Sequence, residues 1–170
     1  MSLLLTGVGA TGINRYSQIT DLIDLSVDPS RVLAGNAAQF YDLSYLVAGA
    51  DINPLTSDLS IAGWIYVDSL ASVTTILSAG AQDAANDFIW LFVFTDGSVR
   101  VQFNDGTGAY LSDQSAAGEV VVGQWYFLVW NFDRDGNCVV YKNGTAILTF
   151  SIATKATACS PSGLYIGRYS

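Results

Sequence analysis

The chain has 170 residues, of which 51% are hydrophobic and only 13% charged, and its net charge is −8. Seven Lys plus Arg, spread singly, form no basic patch to neutralise phosphates, which argues against nucleic-acid binding and attachment to an anionic membrane. The absence of histidine removes Ser-His-Asp and Cys-His catalysis and any Cys/His zinc site.

An ordinary soluble domain has about 25% charged residues. So low a charge fits a surface covered in part by other chains, or a Ser/Thr/Gly-rich β-protein. The start, "MSLLLTGVGATG", has an apolar run with no basic residue before it, a poor signal peptide. Its "GVGATG" lacks the strand, helix and Lys of a phosphate cradle. Residues 1–36 read as an N-terminal arm or docking segment, or else as a first strand and loop of the same domain. Tyr16, Ile19, Leu22 and Ile23 are spaced for a short helix over 15–26. Pro29 then biases Asp28 towards extended backbone.

From residue 37 the pattern is all β. "AAQFYDLSYLVAG" gives two short extended runs, and Asn53-Pro54 marks a turn. "DLSIAGWIYVD" is a strand with Ile61, Ile65 and Val67 on one side and Trp64 and Tyr66 on the other. "VTTILSAG" and "DFIWLFVFT" follow. Asp96-Gly97 predicts a two-residue hairpin loop with φ > 0 at both positions. In the next strand Val99, Val101 and Phe103 alternate with Arg100 and Gln102, predicting a dry face and a wet one. "WYFLVWNF" turns through Asp135-Gly136 into "CVVYK", and Asn143-Gly144 leads into "TAILTFSI". "GLYIGRY" is the last strand. Nine or ten strands and no helix over 37–170 predict an antiparallel two-sheet β-sandwich, or jelly roll. No run approaches the roughly 18 apolar residues of a membrane span, so a soluble chain without membrane insertion is expected. Cys138 and Cys159 are too few for a disulfide framework and are expected to be free.

The ordered series "LSIAGWIYVD … ILSAG … FIWLFVFTDGSVRVQF … GQWYFLVWNFDRDGNCVVYKNGTAI … LYIGRYS" resembles the laminin-G-like group of concanavalin-A-like lectin/glucanase domains. Trp64, Trp125, Tyr141, Asn143, Gly144, Ile166 and Gly167 carry the resemblance, over roughly 37–170. It implies a two-sheet jelly roll that binds carbohydrate or protein, in some members with calcium at the loop rim. No calcium motif transfers residue by residue, and no cofactor is expected beyond that open option. Relatives usually add a closing strand past the "IG" strand. The arm or a neighbouring chain is a candidate to supply it, since an unpaired edge invites association.

The resemblance also reaches glucanases, which need a pair of carboxylates. The chain has one glutamate, Glu119, and Asp133 and Asp135 flank a turn, where Asp is expected for backbone reasons. A non-enzymatic protein is therefore expected. Trp64, Trp90 and Trp125 read as core, and Trp130 as able to face either way. The candidate glycan or cation site is the loop rim: Asp83, Asn86 and Asp87 in "AQDAANDF", and Asp105, Tyr110 and Asp113 around "NDGTGAYLSD". Solvated loop groups are the plain alternative. "MSLLLTGVGA" resembles the openings of bacteriophage structural proteins. With the low charge and the arm, it favours a structural or adhesive virion protein: a capsid decoration, fibre or tail component. Its partners would be other virion proteins and copies of itself. The alternative is a glycan-binding module of a cellular surface or secreted protein.

Overall fold

The computed structural model describes residues 2–4, 38–39, 45–48, 52–82 and 85–167. Most of the 1–36 segment, with its 15–26 helix expectation, lies outside the described residues. So does Asp83.

Among the described residues twelve antiparallel strands form two sheets. They are β1 (Ser2–Leu4), β2 (Ala38–Gln39), β3 (Leu46–Ala48), β4 (Leu59–Tyr66), β5 (Thr74–Ala79) and β6 (Asp87–Val93), followed by β7 (Val99–Asp105), β8 (Leu111–Gln114), β9 (Trp125–Phe132), β10 (Asn137–Lys142), β11 (Thr145–Ser151) and β12 (Leu164–Ile166). The first sheet runs β11-β10-β9-β4-β1-β2 and the second β3-β12-β5-β6-β7-β8. The predicted sandwich is present, with no helix among the described residues. Ser2–Leu4 lies beside β4, with Leu3 opposite Ile65. "YLSD", read as loop, contributes β8, an edge strand in which Leu111 pairs with Phe103.

Alternation fixes what fills the middle. Ile65, Tyr126, Leu128, Trp130 and Phe132 from the first sheet meet Leu77, Ile89, Leu91, Val93, Val101 and Phe103 from the second in one buried core. Trp130 thus points inward. Cys138 and Cys159 are buried free thiols, and burial pushes both up to about 12.

Two hairpins differ in their chemistry. At Asn143-Gly144 both residues have positive φ, 51° and 86°, as the two-residue loop requires. At Asp96-Gly97 only Gly97 does, at 76°, which corrects the expectation. There the Gly97 amide donates to Phe94 O and the Phe94 amide to Ser98 O, a turn that places the left-handed residue last. Asp96 instead accepts from the Ser98 hydroxyl and amide at 2.7 and 2.9 Å, which lowers its pKa.

Candidate functional site

The expected rim assembles at one end of β6 and β7. Asp87 and Asp105 are cross-strand partners, and Asn86 and Tyr110 stand beside them. The Asp87 and Asp105 carboxylates and the Asn86 backbone carbonyl are engaged by the protein. Asp87 Oδ2 accepts from the Ser160 amide at 2.7 Å, and Asn86 O accepts from Asn104 Nδ2 at 3.0 Å. Asp105 is buried. Its Oδ1 accepts from the Thr107 hydroxyl at 2.5 Å, its Oδ2 from the Thr157 amide at 2.9 Å, and Lys155 Nζ lies 3.6 Å away. Burial alone would raise the Asp105 pKa, but these donors and the Lys155 charge outweigh it and leave the carboxyl below its usual range. The Tyr110 ring leans on Phe88 with centroids 5.5 Å apart and stays substantially exposed. Asp113 stands apart on β8, opposite Val101, and accepts from the Gln114 amide.

The remaining acids are similarly tied. Glu119 pairs with Lys142 at 2.5 Å. Asp133 is raised by its hydrogen bond with Asp135 and by the charges of Asp135 and Asp58. A Cβ at Gly136 would sit 2.3 Å from Asp133 Oδ2, so the turn closes on that carboxylate. Arg134, buried in the same turn, donates to Leu55 O, Lys155 O and Thr157 O and fastens three loops together. Among the described residues no three acids or thiols are grouped to hold a metal ion.

The feature that sequence reasoning missed is on the outside of the first sheet. Trp64 and Trp125, expected in the core, are 38% and 41% exposed. Each rests on a neighbour, Trp64 on Phe127 and Trp125 on Tyr66, with ring centroids 5.4 Å apart in both pairs. Register places Trp64 opposite Phe127 and Tyr66 opposite Trp125, so the four rings form one block on adjacent strands. The half-exposed Val121 and Val122 lie at the same end, where the Gly123 amide donates to Val67 O. The signal was in the alternation: Trp64 and Tyr66 oppose the inward Ile65 and Val67. In β9 both faces are apolar, and only Asn131 on the Trp125 side marks which one is outer.

A family model described as the concanavalin A-like lectin/glucanases superfamily matches residues 42–170. The fold is similar to domains LG4-5 of the mouse laminin alpha1 chain, with TM-score 0.58 and 19% identity, covering 74% of this chain and 32% of that one. It is also similar to the receptor binding domain of botulinum neurotoxin D, with TM-score 0.61 and 15% identity, covering 75% and 34%. A third similar structure is a heptameric SAP-like pentraxin from Limulus polyphemus, with TM-score 0.56 and 20% identity, covering 78% and 61%. The match thus spans about a third of the laminin and toxin chains. No curated protein matches the chain. No helix among the described residues is long and apolar enough to cross a membrane.

Proposed function

We propose that this chain, which belongs to the concanavalin A-like lectin/glucanase superfamily, is a non-enzymatic adhesive module displayed on an assembled structure, a virion shell, fibre or tail. It holds its target on the Trp64–Tyr66–Trp125–Phe127 face. The observation that carries the reading is the pair of half-exposed indoles on an outer sheet face, because large aromatic surface left in water marks a contact site. The size of the face suits carbohydrate. Each indole leaves roughly 100 Å² open if a Trp offers about 250 Å². That is far short of the roughly 800 Å² per partner of a standard protein interface. The flat rings offer stacking for a sugar's apolar side; Ser60 and Asn131, hydrogen-bonded to each other, lie further along the same face beyond Ala62 and Val129.

Support for a non-enzymatic role comes from the carboxylates, which serve turns, loops and ion pairs. Support for display comes from the low charge and the phage-like opening. β11 ends the first sheet with seven uncharged residues, an edge to which a second copy or a shell protein adds a strand. A second candidate site, for a sugar, is the rim at Asn86 and Tyr110.

A glycan array probed with and without calcium tests this. Binding is expected to vanish in the Trp64→Ala/Trp125→Ala chain and to survive Tyr110→Ala and chelation. Loss with Tyr110→Ala alone moves the site to the rim, and an intact chain that binds no glycan contradicts the carbohydrate reading. For display, negative-stain images without assemblies and a pull-down from virion lysate without a partner would count against it.

A further inference from the structure

The two outer faces of the sandwich differ in what they offer. In β6, Ile89, Leu91 and Val93 face the core, so Phe88, Trp90 and Phe92 point outward from the second sheet, yet they are only 0 to 3% exposed. Trp90 Nε1 donates to Gly80 O, and Gln102 and Asn104, opposite Trp90 and Phe88 on β7, are buried as well. The expected wet face of β7 is thus corrected. The open face is that of the first sheet, and it is built almost without charge. The chain has 15 acidic and seven basic residues, but β4, β9, β10 and β11 hold one charged side chain between them, Lys142. Lys142 alternates with the inward Cys138 and Val140. Its ammonium donates to Glu119 and lies 5.6 Å from the centre of the inward Tyr126 ring. The charges that border the face along the chain are acidic. Asp68 comes two residues after Tyr66, and Asp58 and Asp133 adjoin β4 and β9 at the other end.

Register lays outward rings on a line. Tyr66 lies opposite Trp125, Trp64 opposite Phe127, and Tyr141 on β10 opposite Val129, two residues past Phe127. Tyr66, Phe127 and Tyr141 therefore fall on one diagonal across three adjacent strands. With strand spacings of about 4.8 Å and a rise of about 3.4 Å per residue, each step is roughly 8 Å and the diagonal roughly 17 Å long. All three rings are half-buried, and the more exposed Trp64 and Trp125 stand on either side of the line. The Tyr141 hydroxyl meets no partner among the described residues. The pocket lined by Asp58, Arg134 and Asp135 lies off this line, beyond Leu59 and Phe132 at the ends of the strands.

We infer that, on the adhesive reading above, this diagonal binds the interior of a neutral, unbranched glycan chain, with Tyr141 as a further binding residue beyond the Trp64–Trp125 block. Charge selects the class. Sialylated, uronate and sulfated chains carry anions, and the face offers them no free cation and acids at its borders. A charged peptide would have its ions covered there without counter-charges. Neutral sugar rings meet neither cost: their apolar sides stack on flat rings, and a hydroxyl can reach that of Tyr141. Shape selects the mode. The diagonal is longer than one sugar ring, and an open sheet face admits a chain that continues past both ends, where a concave pocket would enclose its ligand.

The test probes the full chain on an array of neutral oligosaccharide ladders (glucans, mannans and galactans of two to eight units) beside sialylated and sulfated ladders. Titration calorimetry follows with the best-bound ladder. A neutral ladder is expected to bind, with affinity about ten-fold or more higher for six units than for two. Tyr141→Ala should lower the six-unit affinity by roughly two- to ten-fold, the range of one ring contact, and so shrink the gain with length. Tyr141→Leu, which keeps bulk without a flat ring, should do the same and serves if the Ala variant fails to fold. Binding of sialylated or sulfated ladders that Trp64→Ala/Trp125→Ala abolishes would overturn the neutral-chain inference and leave the adhesive reading standing. So would affinity independent of length, or six-unit binding unmoved by either Tyr141 variant. A chain with a native circular-dichroism spectrum that binds no glycan would overturn both. Concentration-dependent sizing lost in the Trp64→Ala/Trp125→Ala chain would then make a second copy the occupant of the face.

Discussion

Trp125 and Trp90 occupy equivalent kinds of position. Each stands on the outer face of a central strand, flanked by other rings, in the same sandwich. One is 41% exposed and the other 1%. The difference teaches that strand alternation assigns a side chain to a face but not that face to water. The first sheet keeps an aromatic block open and usable for contact. The second carries an aromatic stripe that is buried, so its rings contribute to stability and not to recognition.

The largest expected contrast is therefore energetic. Trp90→Ala should destabilise the chain by about 3–5 kcal/mol, the range for truncating a buried large ring. Trp125→Ala should cost less than about 1 kcal/mol, since an exposed ring loses little transfer energy. Urea denaturation of both variants measures this, and equal effects would erase the distinction between the faces.

The next effect lies at the end of the dry face, where Asp105 follows Asn104. Asp105→Asn should destabilise by about 2–3 kcal/mol, because it leaves Lys155 buried beside a neutral amide. The same carboxylate gives a pH dependence. Its folded pKa is lowered, so its contribution is present above the unfolded value of about 3.9 and is lost as pH falls below it. The Asn variant should flatten the acid limb of a stability–pH curve, and an unchanged limb would remove Asp105 from the account.

How much of this was legible beforehand follows from the same comparison. The strands from 59 to 151 other than β8, the Asn143-Gly144 turn and the sandwich class could be read because alternation and turn chemistry are local. The exposure of Trp64 was half legible: its side of β4 was assigned correctly, and its burial was not. Trp125 was illegible because both faces of β9 are apolar. The dryness of Gln102 was illegible because it depends on what lies above the sheet. Asp87 and Asp105 are cross-strand partners, but sequence could not show that the Ser160 and Thr157 amides already donate to them.

A smaller effect concerns the thiols of the shared core, which should behave alike on either side of it. Their folded pKa values are raised to about 12, so the protonated form's contribution is complete below the unfolded value near 9.0 and declines as pH rises from there towards 12. Stability should fall between pH 9 and 11, and less so in Cys138→Ala. Thiol reagents should label neither cysteine before unfolding, and rapid labelling of Cys159 alone would show that the core opens beneath the Leu55–Cys159 bridge.

The central claim, that one outer face is open and the other sealed, is tested most directly by hydroxyl-radical footprinting of the four tryptophans in the intact chain. Trp64 and Trp125 should be oxidised at least ten-fold faster than Trp90 and Trp130. Oxidation of Trp90 at the rate of Trp125 would contradict the account.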